Sequence, residues 1–191
     1  MDRAGLDEVY RRARQRDPDA LNALVEAYGS RVFGLLYRLT GSRETAEDLV
    51  QETFLRVVRK IGDYEHRGRF EAWLFRIAAN LARDHARRAR RRGQFATLEG
   101  LADGDEPGPG EPADRKPDGP DRRLMRLEAG QRLDACLQRL TDAEREIILL
   151  RHFSGLSFRE IADMLGIPLG TALARAHRAL NRLRVVFGHE V

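Results

Sequence analysis

A chain of 191 residues has room for one or two small domains, and a net charge of +4 is too modest to name a partner unless the charge is clustered. Cys136 is the only cysteine, which excludes a disulfide within the chain. No apolar run reaches the length of a membrane span, and the N-terminal MDRAGLDEVYRRARQRD lacks the apolar core of a signal peptide, so a soluble, cytoplasmic protein without membrane insertion is expected.

No alternating strand pattern occurs anywhere, so the elements are expected to be helices. Asp17-Pro18 is a cap followed by proline and predicts a helix through Tyr28. A second is expected from Ser30 to Thr40, with Val32, Leu35, Leu36 and Leu39 inward. Gly41-Ser42 separates it from a third, Arg43–Ile61, whose broad apolar face carries Ala46, Leu49, Val50, Thr53, Phe54, Val57, Val58 and Ile61. Opposite that face Asp48, Gln51, Glu52 and Leu55 cluster within about 100°. Scattered surface leucines are ordinary, but one set among acids also suits an apolar anchor in a docking patch for a basic helix of another protein.

The segment Ile61–Phe70, IGDYEHRGRF, combines glycines, aromatics and bases as a binding loop on a rigid scaffold does. In the helix that follows, Phe70, Trp73, Leu74, Ile77, Ala78 and Leu81 point inward. Arg76, Asn80, Arg83, Arg87 and Arg90 form a row on the other side, ending in the cluster Arg87–Arg92. A basic run is commonly a solvated tail. Here the charges keep helical register around Asn80, which points to a nucleic-acid track. Tyr64 and Phe70 lie close enough in sequence to stack on exposed bases.

Between Glu99 and Asp121 lie eight acidic residues and five of the seven prolines, with Arg115 and Lys116 the only bases. Such a stretch buries too little surface to offset its ordering entropy and is expected to be a flexible tether. The expected division is a helical domain at 1–92, an acidic, Pro/Gly-rich linker at 93–124 and a second helical domain at 125–191. In the second, Leu127, Leu133, Cys136, Leu137 and Leu140 form one stripe, with Cys136 a buried core residue. Thr141 and Glu144 make a capping box before Ile147, Ile148, Leu150 and Phe153. Ser157 and Glu160 make another, and Gly166 suits a left-handed helix end. Pro168 suits the first helical position, with Thr171 near the new N-terminus. The last helix sets Ala172, Ala176, Ala179, Leu180, Leu183 and Phe187 on one side, and Ala174, His177, Arg178 and Asn181 on the other. An amphipathic helix with a basic face is commonly just solvated, but two short helices about a tight turn, the second with an Arg-rich face, have the layout of a helix-turn-helix, whose second helix is expected in the DNA major groove.

Three segments together resemble bacterial RNA polymerase sigma factors of the extracytoplasmic-function (ECF) class: AEDLVQETFLRV (Ala46–Val57), FEAWLFRIAANLARDHARR (Phe70–Arg88) and Leu140–Leu180. The resemblance implies an all-α fold of two small domains and a factor that binds core polymerase and directs promoter-specific initiation. It implies that Asp48, Gln51, Glu52 and Leu55 dock on the β′ coiled coil, with the β flap a further contact. Tyr64, His66, Arg67, Arg69, Arg76, Asn80, Arg83 and Arg87 would capture and follow the melted start-proximal element. Ser157, Arg159, Thr171, Leu173, Ala174, Arg175, His177 and Arg178 would read the upstream element as duplex. The expected partners are core polymerase, promoter DNA and an anti-sigma factor. Relatives often open the recognition helix Gly-Thr-Val-Lys-Ser-Arg; Leu173 and Ala174 depart from this and shift contacts toward Arg175, His177 and Arg178, although Leu173 suits a thymine methyl.

An enzyme is the competing class. Asp48/Glu52 and Glu44/Glu47 are carboxylates at helical spacing, but no Glu-x-x-His pattern accompanies them. The five histidines show no zinc-type pairing. No catalytic residue, metal, cofactor or small-molecule substrate is expected. The nearer rival is a two-domain helix-turn-helix regulator that acts without replacing a sigma factor; such proteins place a strand-containing domain first.

Overall fold

The computed structural model describes residues 3–64, 69–93, 130 and 132–188. Every regular element among them is helical: α1 (Arg3–Arg14), α2 (Pro18–Thr40), α3 (Arg43–Lys60), a 3-10 turn (Ile61–Asp63), α4 (Phe70–Gly93), α5 (132–138), α6 (Asp142–Ser154), α7 (Phe158–Leu165) and α8 (Leu169–Gly188). Beyond Gly93, the expected linker lies outside the described residues, as does Leu127.

Local chemistry sets the boundaries. Asp17 accepts the backbone N–H groups of Asp19 and Ala20 and leads into Pro18. Gly41 closes α2 at φ 71°, a left-handed conformation that costs glycine little, and Ser42 caps α3 through the Thr45 N–H. Thr141 with Glu144, and Ser157 with Glu160, form both capping boxes reciprocally. Gly166, at φ 65°, ends α7 and returns its N–H to the Ala162 and Asp163 carbonyls.

Two departures from the sequence expectation stand out. The helices expected at 17–28 and 30–40 are one continuous helix, α2. Gly29 in a helix interior costs about 1 kcal/mol against alanine. Leu24, Tyr28, Val32, Leu35 and Leu36 are buried in one register on both sides of it, at roughly 1.5–3 kcal/mol for a large apolar side chain, so burial wins. Helix α1 was not anticipated. Its Tyr10 and Ala13 are buried, and the Tyr10 hydroxyl bonds that of Tyr28 at 2.7 Å. The spacing of Val9, Tyr10 and Ala13 was the available signal.

The N- and C-terminal halves pack against each other. Leu137, Leu140, Leu149, Phe153 and Ala179 share a buried cluster with Leu35, Phe54 and Leu74. Helix α4 therefore has a second buried stripe beyond the expected one. Phe75 and Ala79 are fully buried, and Ala79 packs with Ile147, Leu150 and Ile161 of the C-terminal half. The Phe153 ring sits over the backbone at Gly34, where an added Cβ would approach its Cε1 to 3.3 Å. Around it, Arg31 donates to Glu71 (3.0 and 3.2 Å) and to the Phe153 carbonyl (2.8 Å). Arg38, only 5% exposed, donates to Asp134 at 2.8 Å.

Candidate nucleic-acid interface

Helix α3 turns Ala46, Thr53, Phe54 and Val57 into the core, which leaves the opposite face to solvent. Asp48 and Gln51 are exposed, and Leu55 is 50% exposed. Glu52 is half-buried and pairs with Arg56 one turn on, at 2.8 Å. The four residues thus share one surface, an apolar side chain set among acids. Beside it Leu21, Val25, Phe54 and Val58 line an apolar groove between α2 and α3.

On α4 the expected row is unevenly open over Arg76, Asn80, Arg83 and Arg87, and the side chain of Arg90 lies outside those described. Arg76, Asn80 and Arg87 are exposed, with Arg87 donating to Asp84 at 3.0 Å. Arg83 is half-buried against the C-terminal half: its Nε and Nη2 donate to Glu146 Oε1 at 3.3 Å and its Nη1 to the Met164 carbonyl at 3.4 Å. Arg69 makes an ion pair with Glu160 at 2.6 Å. Three of the expected strand-following arginines, Arg69, Arg83 and Arg87, therefore already hold carboxylates, which occupy donors a phosphate would use.

The two aromatics differ from expectation in part. Phe70 is 2% exposed, packed among Tyr10, Tyr28, Tyr64 and Trp73, and offers no face to a base. The core took it because α1 and α2 bring two tyrosine rings against the start of α4. Tyr64 is half-buried and stacked on Trp73 at 4.6 Å, and burial raises its hydroxyl pKa. His66 and Arg67 lie outside the described residues.

In the C-terminal half the helix pair α7 and α8 meets at the turn Gly166–Pro168. Ser157 is committed to its cap: its Oγ accepts the Glu160 N–H and donates to the Glu160 carboxylate at 2.7 Å. The hydroxyl bond and the Ser157 N–H, which donates to the same carboxylate at 2.9 Å, followed by Arg69 nearby, hold the Glu160 carboxyl below its ordinary range. Arg159 is exposed, and the Thr171 N–H donates to the Pro168 carbonyl at 2.9 Å. Leu173, Ala174, His177 and Arg178 are exposed, Arg175 is half-buried, and the Asn181 amide lies 3.3 Å from the His177 ring. Arg178 and Arg182 both reach back to Glu144 at the start of α6, at 3.5 and 3.0 Å. Among the described residues, no group of three or more His, Cys, Asp and Glu side chains is placed to hold a metal ion.

Family patterns match both halves: Sigma-70 region 2 over residues 24–92, and Sigma-70, region 4 over residues 130–183. RNA polymerase sigma factor CarQ of Myxococcus xanthus is 40% identical over 177 residues, covering 93% of this chain and 94% of its own. The chain belongs to the ECF class of RNA polymerase sigma factors. The ECF RNA polymerase sigma factor BldN of Streptomyces coelicolor is 37% identical over 183 residues, covering 95% of this chain and 66% of that longer relative. Among solved structures, sigma factor RpoE of Bartonella quintana, in complex with the anti-sigma factor NepR, superposes with a TM-score of 0.62 at 25% identity, covering 87% of this chain and 96% of that one. Sigma factors are initiation factors, not enzymes, so the chemistry of these surfaces is recognition. No described helix of this sigma factor is long and apolar enough to cross a membrane.

Sequence reasoning missed the residues that join the halves. Arg31, Arg38, Glu71 and Asp134 belong to no sequence motif, and the Arg38–Asp134 pair spans 96 positions. A polar position within an otherwise buried helical stripe was the only hint: Arg38 stands one turn beyond Gly34 and two beyond Arg31.

Proposed function

We propose that this sigma factor docks on the β′ coiled coil of core polymerase through Asp48, Gln51, Glu52 and Leu55 of α3, with the β flap a further contact of the C-terminal half. In this reading residues 1–92 serve polymerase docking and the start-proximal element, and 93–124 are a linker. Residues 125–191 read the upstream element as duplex. Tyr64, His66, Arg67, Arg69, Arg76, Asn80, Arg83 and Arg87 follow the melted strand; the upstream readers are Ser157, Arg159, Thr171, Leu173, Ala174, Arg175, His177 and Arg178. Extracting a base from its stack costs a few kcal/mol, which polymerase binding must supply.

The observation that carries this reading is the open α3 surface, where a half-exposed leucine stands among acids while the opposite face is buried. Arg69 and Arg83 must exchange Glu160 and Glu146 for phosphates before they follow DNA. The solved relative bound to an anti-sigma factor supports control by a protein of that kind. Run-off transcription tests the proposal. Core polymerase with this protein starts at a promoter that core alone ignores, and charge reversal at Asp48 and Glu52 abolishes both core association and the transcript. Operator binding without polymerase, and no transcript with it, would instead identify a conventional regulator.

A further inference from the structure

The recognition helix α8 is tied to the first turn of α6 by one carboxylate. Glu144 is 3% exposed, at the N3 position of its helix. Its Oε2 accepts the Thr141 N–H (3.1 Å), the Thr141 hydroxyl (2.9 Å) and Arg182 Nη1 (3.0 Å), while Oε1 faces Arg178 Nε at 3.5 Å. Arg178 and Arg182 are themselves about half exposed. They stand one turn apart on the same flank, so each has one edge on the carboxylate and donors left for solvent or a phosphate. A capping box alone needs only the bonds to Thr141. The burial of a charged group against two arginines of another helix goes beyond it.

We infer that Glu144 is a positioning residue for promoter discrimination: it fixes the Arg178 and Arg182 guanidinia so that α8 meets the upstream duplex in one register. This rests on the proposed reading of α8 as the upstream-element helix. Phosphate contacts set register and base contacts specify, so arginines with a fixed position favour the correct site over others. Guanidinia on unconstrained stems attract any duplex equally well and lose more side-chain entropy on binding. The negative charge also opposes indiscriminate attachment to phosphate.

The test uses the full chain bound to core polymerase. The probes are duplexes enriched by the wild-type holoenzyme from a randomised pool, and scrambled duplexes of the same composition. Glu144→Gln retains an acceptor for the Thr141 cap and removes the charge. The expected result is about a tenfold loss of preference for the enriched duplex, with affinity for scrambled duplex equal or higher; the melting temperature falls as well, because the buried cap loses its charge. In an Arg178→Ala, Arg182→Ala background, Glu144→Gln should change the preference no further. An unchanged preference overturns the inference. So does a parallel loss of both affinities, or an effect that persists without the two arginines, since these mark a purely structural role. If the wild-type holoenzyme enriches no sequence, the proposed upstream-reading role fails, and this inference with it.

Discussion

At the scale of single residues, exposure separates side chains that serve the fold from those left for partners. Leu55 is half exposed while Phe54 and Val57 beside it are buried. Replacing Leu55 by alanine should therefore leave the melting temperature within the small range of surface substitutions. As the anchor of a docking patch it should cost roughly 2 kcal/mol in association with core polymerase, seen in a competition binding assay. Arg178→Ala should weaken binding to the upstream duplex by ~1–3 kcal/mol, and an unchanged footprint would remove Arg178 from the reading set. Phe70 shows the limit of such reasoning from sequence. An aromatic beside a basic loop has the composition of a base-stacking residue, yet its ring fills the gap between Tyr10 and Tyr28.

At the scale of elements, α6 and α7 begin with capping boxes whose glutamates depend on being charged. At Glu144 burial raises the pKa, but the bonds from Thr141 and the guanidinia of Arg182 and Arg178 outweigh it; Glu160 is lowered mainly by Ser157. Both carboxyls stand below their ordinary value of 4.5, so their stabilisation is complete above that pH and is lost as the pH falls through the lowered folded-state values. Burial raises Asp134 despite its Arg38 partner, which contributes with the opposite sign. Acid titration of stability should therefore show a steep loss below about pH 4.5. The loss should become shallower in Glu160→Gln; an equal slope in the variant would count against the cap as its source. The helix starts were legible in the sequence because each cap is a contact within four residues. The fusion across Gly29 was not, because only the buried partners of Tyr28 and Val32 outweigh the glycine.

At the scale of the whole molecule, the two halves share a core, and Arg69, just before α4, and Arg83 of α4 are engaged by carboxylates of α7 and α6. The seam is held by Phe153 over Gly34 and by the Arg38–Asp134 pair. Gly34→Leu places side-chain atoms where Phe153 and the Arg38 guanidinium now sit, so it should part the halves without breaking either helix. Dyes attached at positions 59 and 184 should then show lower energy transfer than in the wild type, and thermal unfolding should split into two transitions. Equal transfer in both proteins would mean the seam accommodates the larger residue. Asp134→Ala acts on the same seam by leaving Arg38 buried and unpaired, a loss of roughly 3–5 kcal/mol.

The chain by itself determined the helical class, the starts of α2, α3, α6 and α7, the family and the acidic face of α3. All of these rest on interactions between residues a few positions apart or on motifs read in order. Tertiary structure alone decided that α2 runs unbroken and that Phe70, expected both to point inward and to stack on bases, has no face left for a base. It also decided that Arg31, Arg38, Arg69 and Arg83 join the halves and that Glu144 holds the arginines of α8. Each of those depends on a partner distant in sequence, and periodicity says which face of a helix is apolar but not what will lie against it.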